Sequence, residues 1–252
     1  MERVDAMLGD VARAVRSFRA HHPSRCGELE VRLGNTKGDG SFGPGVSDDT
    51  FLELERDLEE AVQLTSDARW QEIIDYFHST STGSAIRTRV EFDHETMLMT
   101  QTHIEKRPLH TMTASIGHVS GACRLCVATE TPVSDLPVAS VVNFVRVKQR
   151  RRFWDRRDDN VVWVYELSRT WSATTRDAVE EAQKREPPVF EVECELMDAQ
   201  GTYLAQRTDE CVARSILLKM AMLMGGEDTC NMTTLECRHA EVEHTRKRRA
   251  RR

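Results

Sequence analysis

Long stretches of this chain alternate polar and apolar residues one by one. A period of two is the mark of a β-strand, in which alternate side chains share a face. It predicts strands at 27–33, 71–79, 84–92, 97–106, 110–116, 122–131, 140–153, 161–171 and 189–197. Turn formers separate them, among them Ser79–Gly83, Asp93-His94 and Asp158–Asn160. Elsewhere the spacing is helical. Val4, Met7, Leu8, Val11, Val15 and Phe18 place one apolar face on a helix over 3–20, closed by Pro23. Phe51, Leu54, Leu58 and Val62 do the same over 48–63, behind Ser47 as N-cap. A short helical connector is expected at 174–185, ended by Pro187-Pro188, and a last helix at 208–224. Residues 34–45 read as glycine-rich turn.

Two strands carry carboxylates at every alternate position. Glu28 and Glu30 share one face of the first, with Leu29, Val31 and Leu33 on the other. Glu191, Glu193 and Glu195 share one face of the last, with Val192, Cys194 and Leu196 opposite. Such faces are solvated surface or a metal site. If the two strands paired inside one lumen, carboxylates about 5 Å apart would repel by ~3 kcal/mol per pair at an effective dielectric of 20. That arrangement demands a cation, and an all-oxygen donor set selects a hard one, Mg²⁺ or Mn²⁺.

Other strands have the reverse charge. Arg146, Lys148 and Arg150 share one face of 144–150, and Arg87 and Arg89 share one face of 86–90. Lys106 and Arg107 end another strand, and Arg169 sits in Tyr165–Arg169. Charges segregated by strand, acid on some and base on others, suit one lumen that binds a polyphosphate bridged to the carboxylates by metal. Many antiparallel strands with charged alternate positions predict an α+β protein: a β-barrel with helices packed outside.

Composition agrees. The 252 residues are 39 % hydrophobic and 30 % charged, enough for a core but with many charges to place. A net charge of −6 excludes a polyanion binder that works by overall charge. Basic residues instead cluster at 146–157 and at 246–252, the second a tail expected to be disordered and to act as a nuclear address or nucleic-acid arm. Seven scattered cysteines, with no disulfide-like framework and no signal peptide, point to a reducing compartment. Cys123 and Cys126 form a lone CxxC without the second pair that zinc requires. No apolar run reaches the ~20 residues of a membrane helix.

The segments ELEVRLG (28–34), FGPGVS (42–47), IRTR (86–89), RLCVATETPV (124–133), VRVKQR (145–150), YELSRTW (165–171) and FEVECEL (190–196) resemble, in order, the metal-dependent mRNA 5′-triphosphatases of fungi, protozoa and large DNA viruses. These belong to the triphosphate tunnel metalloenzymes, and the short length is similar to stand-alone protozoan forms, kinetoplastid ones included. The resemblance implies a closed antiparallel eight-stranded β-barrel, the triphosphate tunnel. It implies metal binding by Glu28, Glu30 and Glu195, and orientation of water and neighbouring bases by Glu191 and Glu193. Arg146, Lys148, Arg150, Arg87, Lys106 and Arg169 would grip the triphosphate. Glu130 and Glu166 would fix basic side chains. Glu166, Ser168 and Arg169 depart from the Asp, Thr and Lys usual in the family, and Val164 replaces a frequent Arg.

The activity so implied is metal-dependent removal of the γ-phosphate from the 5′-triphosphate end of nascent RNA, the first step of mRNA capping, in the nucleus and beside a separate guanylyltransferase. Two rivals stand: a tunnel hydrolase of tripolyphosphate or nucleoside triphosphate, and a non-enzymatic nucleic-acid-binding β-protein. Lys37–Gly40 also spells the KxDG of nucleotidyl transferases, but it fits a hairpin turn, and no second large domain remains in the sequence. The expected division is an N-terminal helix at 1–23, a tunnel domain at 24–240 and a basic tail at 241–252.

Overall fold

The computed structural model describes residues 2–21, 27–61, 64–67, 69–80, 85–93, 96–114, 121–137, 140–157, 160–198 and 201–223. The basic tail, Cys230 and Cys237 lie outside the described residues.

Eight strands close on themselves. In chain order the strands are β1 (Gly27–Thr36), β2 (Phe42–Pro44), β3 (Leu64–Ser66), β4 (Gln71–Ser79), β5 (Ala85–Asp93), β6 (Leu98–Ala114), β7 (Ala122–Pro132), β8 (Val141–Arg157), β9 (Asn160–Ala173) and β10 (Val189–Leu196). Around the barrel they run β1-β7-β6-β5-β4-β8-β9-β10, and β10 pairs antiparallel with β1 to close it. Two short strands lie outside the ring: β2 pairs with β1, and β3 with β8.

Among the described residues five helices accompany the barrel: α1 (Glu2–His21), α2 (Asp48–Glu60), α3 (Arg176–Arg185), α4 (Thr202–Ala205) and α5 (Asp209–Leu223). Ser47 caps α2 as expected, its Oγ accepting from the Thr50 N–H at 3.2 Å. The main core lies between helices and barrel, not inside the barrel. Leu29, Val31, Leu33, Leu125, Val127, Val192, Cys194 and Leu196 point outward from β1, β7 and β10. They meet Val11, Val15 and Phe18 of α1 and Ile216 and Met220 of α5 in one cluster. Val145 and Val147 make a smaller cluster under Val179 of α3. The wall thus turns its apolar face out to the helices and its charged face into the lumen.

Two local expectations are corrected, and two short elements were not expected. The two strands expected at 97–106 and 110–116 are one strand, β6, whose ladder slips between Pro108 and His110. Pro108 has no N–H to donate, and an irregularity tolerates it where a regular ladder does not. The turn expected over 34–45 is shorter. β1 runs to Thr36 and β2 returns from Phe42, with Lys37–Ser41 as the turn and Gly40 at φ +80°. A Cβ on Gly34 would lie 2.6 Å from the Phe42 ring, so the hairpin closes tightly there. Finally, β3 and α4 went unpredicted, because elements of three and four residues are too short to show a period. Asp198 builds α4 by accepting from the N–H groups of Tyr203 and Leu204 at 3.0 and 2.8 Å. No helix among the described residues is long and apolar enough to cross a membrane.

Candidate active site

The lumen holds a cavity of about 280 Å³. Fifteen of the eighteen described residues that line it are charged, seven acidic and eight basic. The acidic strands are direct neighbours, with Glu30 opposite Glu195 and Arg32 opposite Glu193 in the β1–β10 ladder. The basic strand β8 joins this wall through β9, and β5 and β6 complete the far side.

At the acidic wall, Lys106 forms an ion pair with Glu28 and lies 3.7 Å from Glu30 and 3.9 Å from Glu130. Glu130 also accepts from Arg87 at 3.0 Å. Burial and the neighbouring Glu30 push the Glu28 carboxyl up to about 7, although Lys106 pulls it back. Glu195 is raised well above the ordinary range by burial and by the carboxylates of Glu28 and Glu30. Among the described residues no three or more His, Cys, Asp or Glu side chains are gathered closely enough to hold a metal ion, and the Lys106 ammonium stands among Glu28, Glu30 and Glu130. The donor set nevertheless fits a hard divalent cation. It is all oxygen, and Glu195 is a buried carboxylate facing like charge.

At the centre, Lys148 is 2 % exposed and touches three carboxylates: Glu166 at 3.1 Å, Glu191 at 3.3 Å and Glu193 at 3.4 Å. Glu193 pairs with Arg32 at 2.8 Å, and Arg32 reaches Glu30 at 3.5 Å. Burial opposes ionisation of Glu193, but Arg32 and Lys148 outweigh it and hold the carboxyl far below the usual range. Arg150 meets Glu91 at 3.2 Å and Glu166 at 3.5 Å. Fully buried Asp75 accepts from Arg89 at 2.8 Å and from Arg146 at 2.7 Å.

The structure therefore places Glu28, Glu30, Glu195, Glu193, Glu130, Glu166, Arg87, Lys106, Arg146, Lys148 and Arg150 around one lumen. Glu191 joins through Lys148. Arg169 is the exception. Glu166 and Ser168 face inward on β9, so Arg169 faces out, and its guanidinium lies 4.4 Å over the Trp70 ring. Strand parity thus places it outside the lumen that the other expected substrate-side residues share.

Six lumen residues were not named from the sequence, Arg32, Asp75, Glu91, Arg152, Trp154 and Met197, and Arg89 was named only for its strand face. Most carry a legible signal. Arg32 has the parity of Glu28 and Glu30, Arg89 and Glu91 that of Arg87, and Arg152 and Trp154 that of Arg146–Arg150. Asp75 is a lone acid in the apolar run Ile73–Phe77, a pattern that signals a buried ion pair. The CxxC is split by the same rule. Cys123 lies in the outer core, its thiol pushed up to about 12 by burial, whereas Cys126 pairs opposite Glu30 on the lumen side.

A stability prediction comes from Glu28. Its pKa of about 7 exceeds the ordinary 4.5, so between those values the folded state holds a proton that the unfolded state has lost. Its contribution to stability therefore falls as pH rises through that window. Glu193 and Asp75 are shifted down and lose their contributions only in stronger acid. The EDTA-treated protein is expected to melt several degrees lower at about pH 8 than at about pH 5, and Mn²⁺ should restore the difference at the higher pH. Identical melting with and without Mn²⁺ at the higher pH would show that the carboxylates hold no divalent cation.

Fold and lumen together define a closed eight-stranded tunnel protein with a charged interior. RNA triphosphatases are among the solved structures that superpose on it. The RNA triphosphatase Pct1 of S. pombe superposes with a TM-score of 0.57 at 14 % identity, over 85 % of this chain and 92 % of that one. The triphosphatase of the Mimivirus capping enzyme superposes with a TM-score of 0.54 at 12 % identity, over 86 % and 97 %. The likeness establishes the shared fold. No protein-family model and no curated protein sequence matches the chain.

Proposed function

We propose that this protein removes the γ-phosphate from 5′-triphosphate RNA ends, leaving a 5′-diphosphate, as the first step of mRNA capping. The observation that carries this reading is the lumen itself. A carboxylate wall from β1 and β10 faces Arg and Lys side chains from β5, β6 and β8 across about 280 Å³. The structural likeness to Pct1 and the Mimivirus triphosphatase supports the choice of reaction.

In this reading Arg87, Arg146, Lys148 and Arg150 bind the phosphate oxygens and spread the charge that develops as the β–γ anhydride breaks. Glu28, Glu30 and Glu195 would hold Mg²⁺ or Mn²⁺, which when bound neutralises phosphoryl charge. Glu193 accepts a hydrogen bond from the attacking water and sets its line of approach. Held ionised by Arg32 and Lys148, it is a positioning group and a poor proton acceptor. Glu191 and Glu166 hold the Lys148 ammonium, and Glu130 holds Arg87.

The binding-protein rival loses its main support here. The cluster at 146–157 splits by parity. Arg146, Lys148, Arg150 and Arg152 enter the tunnel, while Arg151 turns out to pair with Glu55 at 3.4 Å. The proposed partners are the RNA end and a separate guanylyltransferase, and the proposed location is the nucleus, with residues 241–252 as the basic address. Phosphate release from γ-³²P-labelled triphosphate RNA, with Mg²⁺ or Mn²⁺ and with EDTA, tests the reaction. Metal-dependent release, lost in the Glu28→Ala/Glu193→Ala double variant, is expected. No release from RNA, ATP or tripolyphosphate would refute it.

A further inference from the structure

The charged lumen ends in an apolar collar. Past Arg150 and Arg152 on β8, Trp154, Val164 and Met197 line the tunnel beside Glu195, the ladder partner of Val164. Trp154 and Val164 are cross-strand partners on β8 and β9. Met197 follows β10 and is tied back by its N–H to the Val162 carbonyl at 2.9 Å.

The tryptophans separate by location. Of the four in the chain, Trp163 is fully buried in the main core, and Trp70 and Trp171 pack against the two outer clusters. Trp154 alone lines the tunnel and belongs to neither cluster. An indole there brings no charge to set against a phosphate. It is also held in place: the Arg152 guanidinium lies over its ring at 5.2 Å, and Arg152 is itself fixed by Asp67 at 3.2 Å and Gln71 at 3.4 Å. A positioned aromatic ring beside a basic channel is the usual platform for a nucleobase.

We propose that Trp154, with Val164 and Met197, forms a stacking subsite for the base of the substrate's first nucleotide. The inference rests on the triphosphatase reading of the same lumen. Trp154 stands four residues along β8 from Arg150, about 13 Å. A triphosphate gripped by Lys148 and Arg150 therefore leads its ribose and base toward the collar. Every base has a π-face, and the flexible Met197 side chain adapts to its outline. The subsite thus recognises a base without reading its identity. It separates nucleotide-bearing substrates from inorganic tripolyphosphate.

The test compares full-length Trp154→Ala, Trp154→Phe and wild type on 5′-triphosphate RNA, ATP and tripolyphosphate with Mn²⁺. Trp154→Ala should raise KM for RNA and ATP about 5- to 100-fold, with kcat within about twofold, and leave tripolyphosphate unchanged. Trp154→Phe should recover most of the lost affinity. No rise on RNA, or an equal rise on all three substrates, overturns the proposal. Fluorescence adds a readout that needs no turnover. 5′-triphosphate RNA should quench wild-type emission, tripolyphosphate should not, and the quench should vanish in Trp154→Phe. Failure to hydrolyse any of the three substrates would refute the triphosphatase reading, while the presence or absence of that quench would still decide the stacking subsite.

Discussion

Glu193→Ala is expected to lower kcat on triphosphate RNA about 10²-fold or more while leaving KM within a few-fold. The split follows from the charges around this residue. Glu193 neutralises part of Arg32 and Lys148, at 2.8 and 3.4 Å. Its removal makes the lumen more positive, so an anionic substrate binds at least as well. Lys148 stays in place, because Glu166 and Glu191 still hold it at 3.1 and 3.3 Å. What disappears is the acceptor that aligns the attacking water. Glu193→Gln keeps the shape and one acceptor oxygen, so it should lie between alanine and wild type. A wild-type kcat in the alanine protein would remove Glu193 from the reaction.

Asp75→Ala should be the most damaging single change to stability. Its carboxylate is fully buried and lies between two guanidiniums that are 19 % and 13 % exposed. Burial opposes its ionisation, but its hydrogen bond with Arg89 and the charges of Arg89 and Arg146 hold its pKa far below the usual range. Removing it takes away the counter-charge that Arg89 and Arg146 share and leaves Arg89 only the 3.9 Å contact to Glu91, a loss of roughly 3–5 kcal/mol. For a chain of this size that is a fall in Tm of roughly 6–20 °C. Arg146 also loses the partner that aims it, so KM for triphosphate RNA should rise. Added tripolyphosphate supplies the missing negative charge and should raise the Tm of Asp75→Ala by more than it raises that of wild type. A variant that melts within a degree or so of wild type would show that Arg89 and Arg146 find other partners or reach water.

The acidic half of the site was legible because a strand writes its faces into the sequence. Glu28 and Glu30, and Glu191, Glu193 and Glu195, each share a face by parity alone, and the structure sets the two strands side by side. Arg146, Lys148 and Arg150 were legible for the same reason. Arg169 was grouped with the lumen bases by motif order, which fixes position along a strand more firmly than it fixes direction. The parity of Glu166 and Ser168 already pointed Arg169 outward, where Trp70 receives it. Asp75 was missed because its importance comes from partners on β5 and β8, 14 and 71 residues away.

By itself, then, the order of residues determined where strands and helices form, which strand faces are charged, and that acid and base sit on different strands. These are local properties: period, caps and turn chemistry act over a few residues. The tertiary structure decided what meets what. Closure of β10 on β1 brought Glu195 opposite Glu30 across 165 residues of sequence and raised the carboxyl of Glu195 by burial and by its acidic neighbours. Barrel register gave Lys106 to Glu28, Arg32 to Glu193 and Asp75 to two arginines. It also turned the apolar faces out toward the helices, so that the core lies around the tunnel. Charge energies depend on distance and on exclusion of water, and both exist only once the barrel has closed.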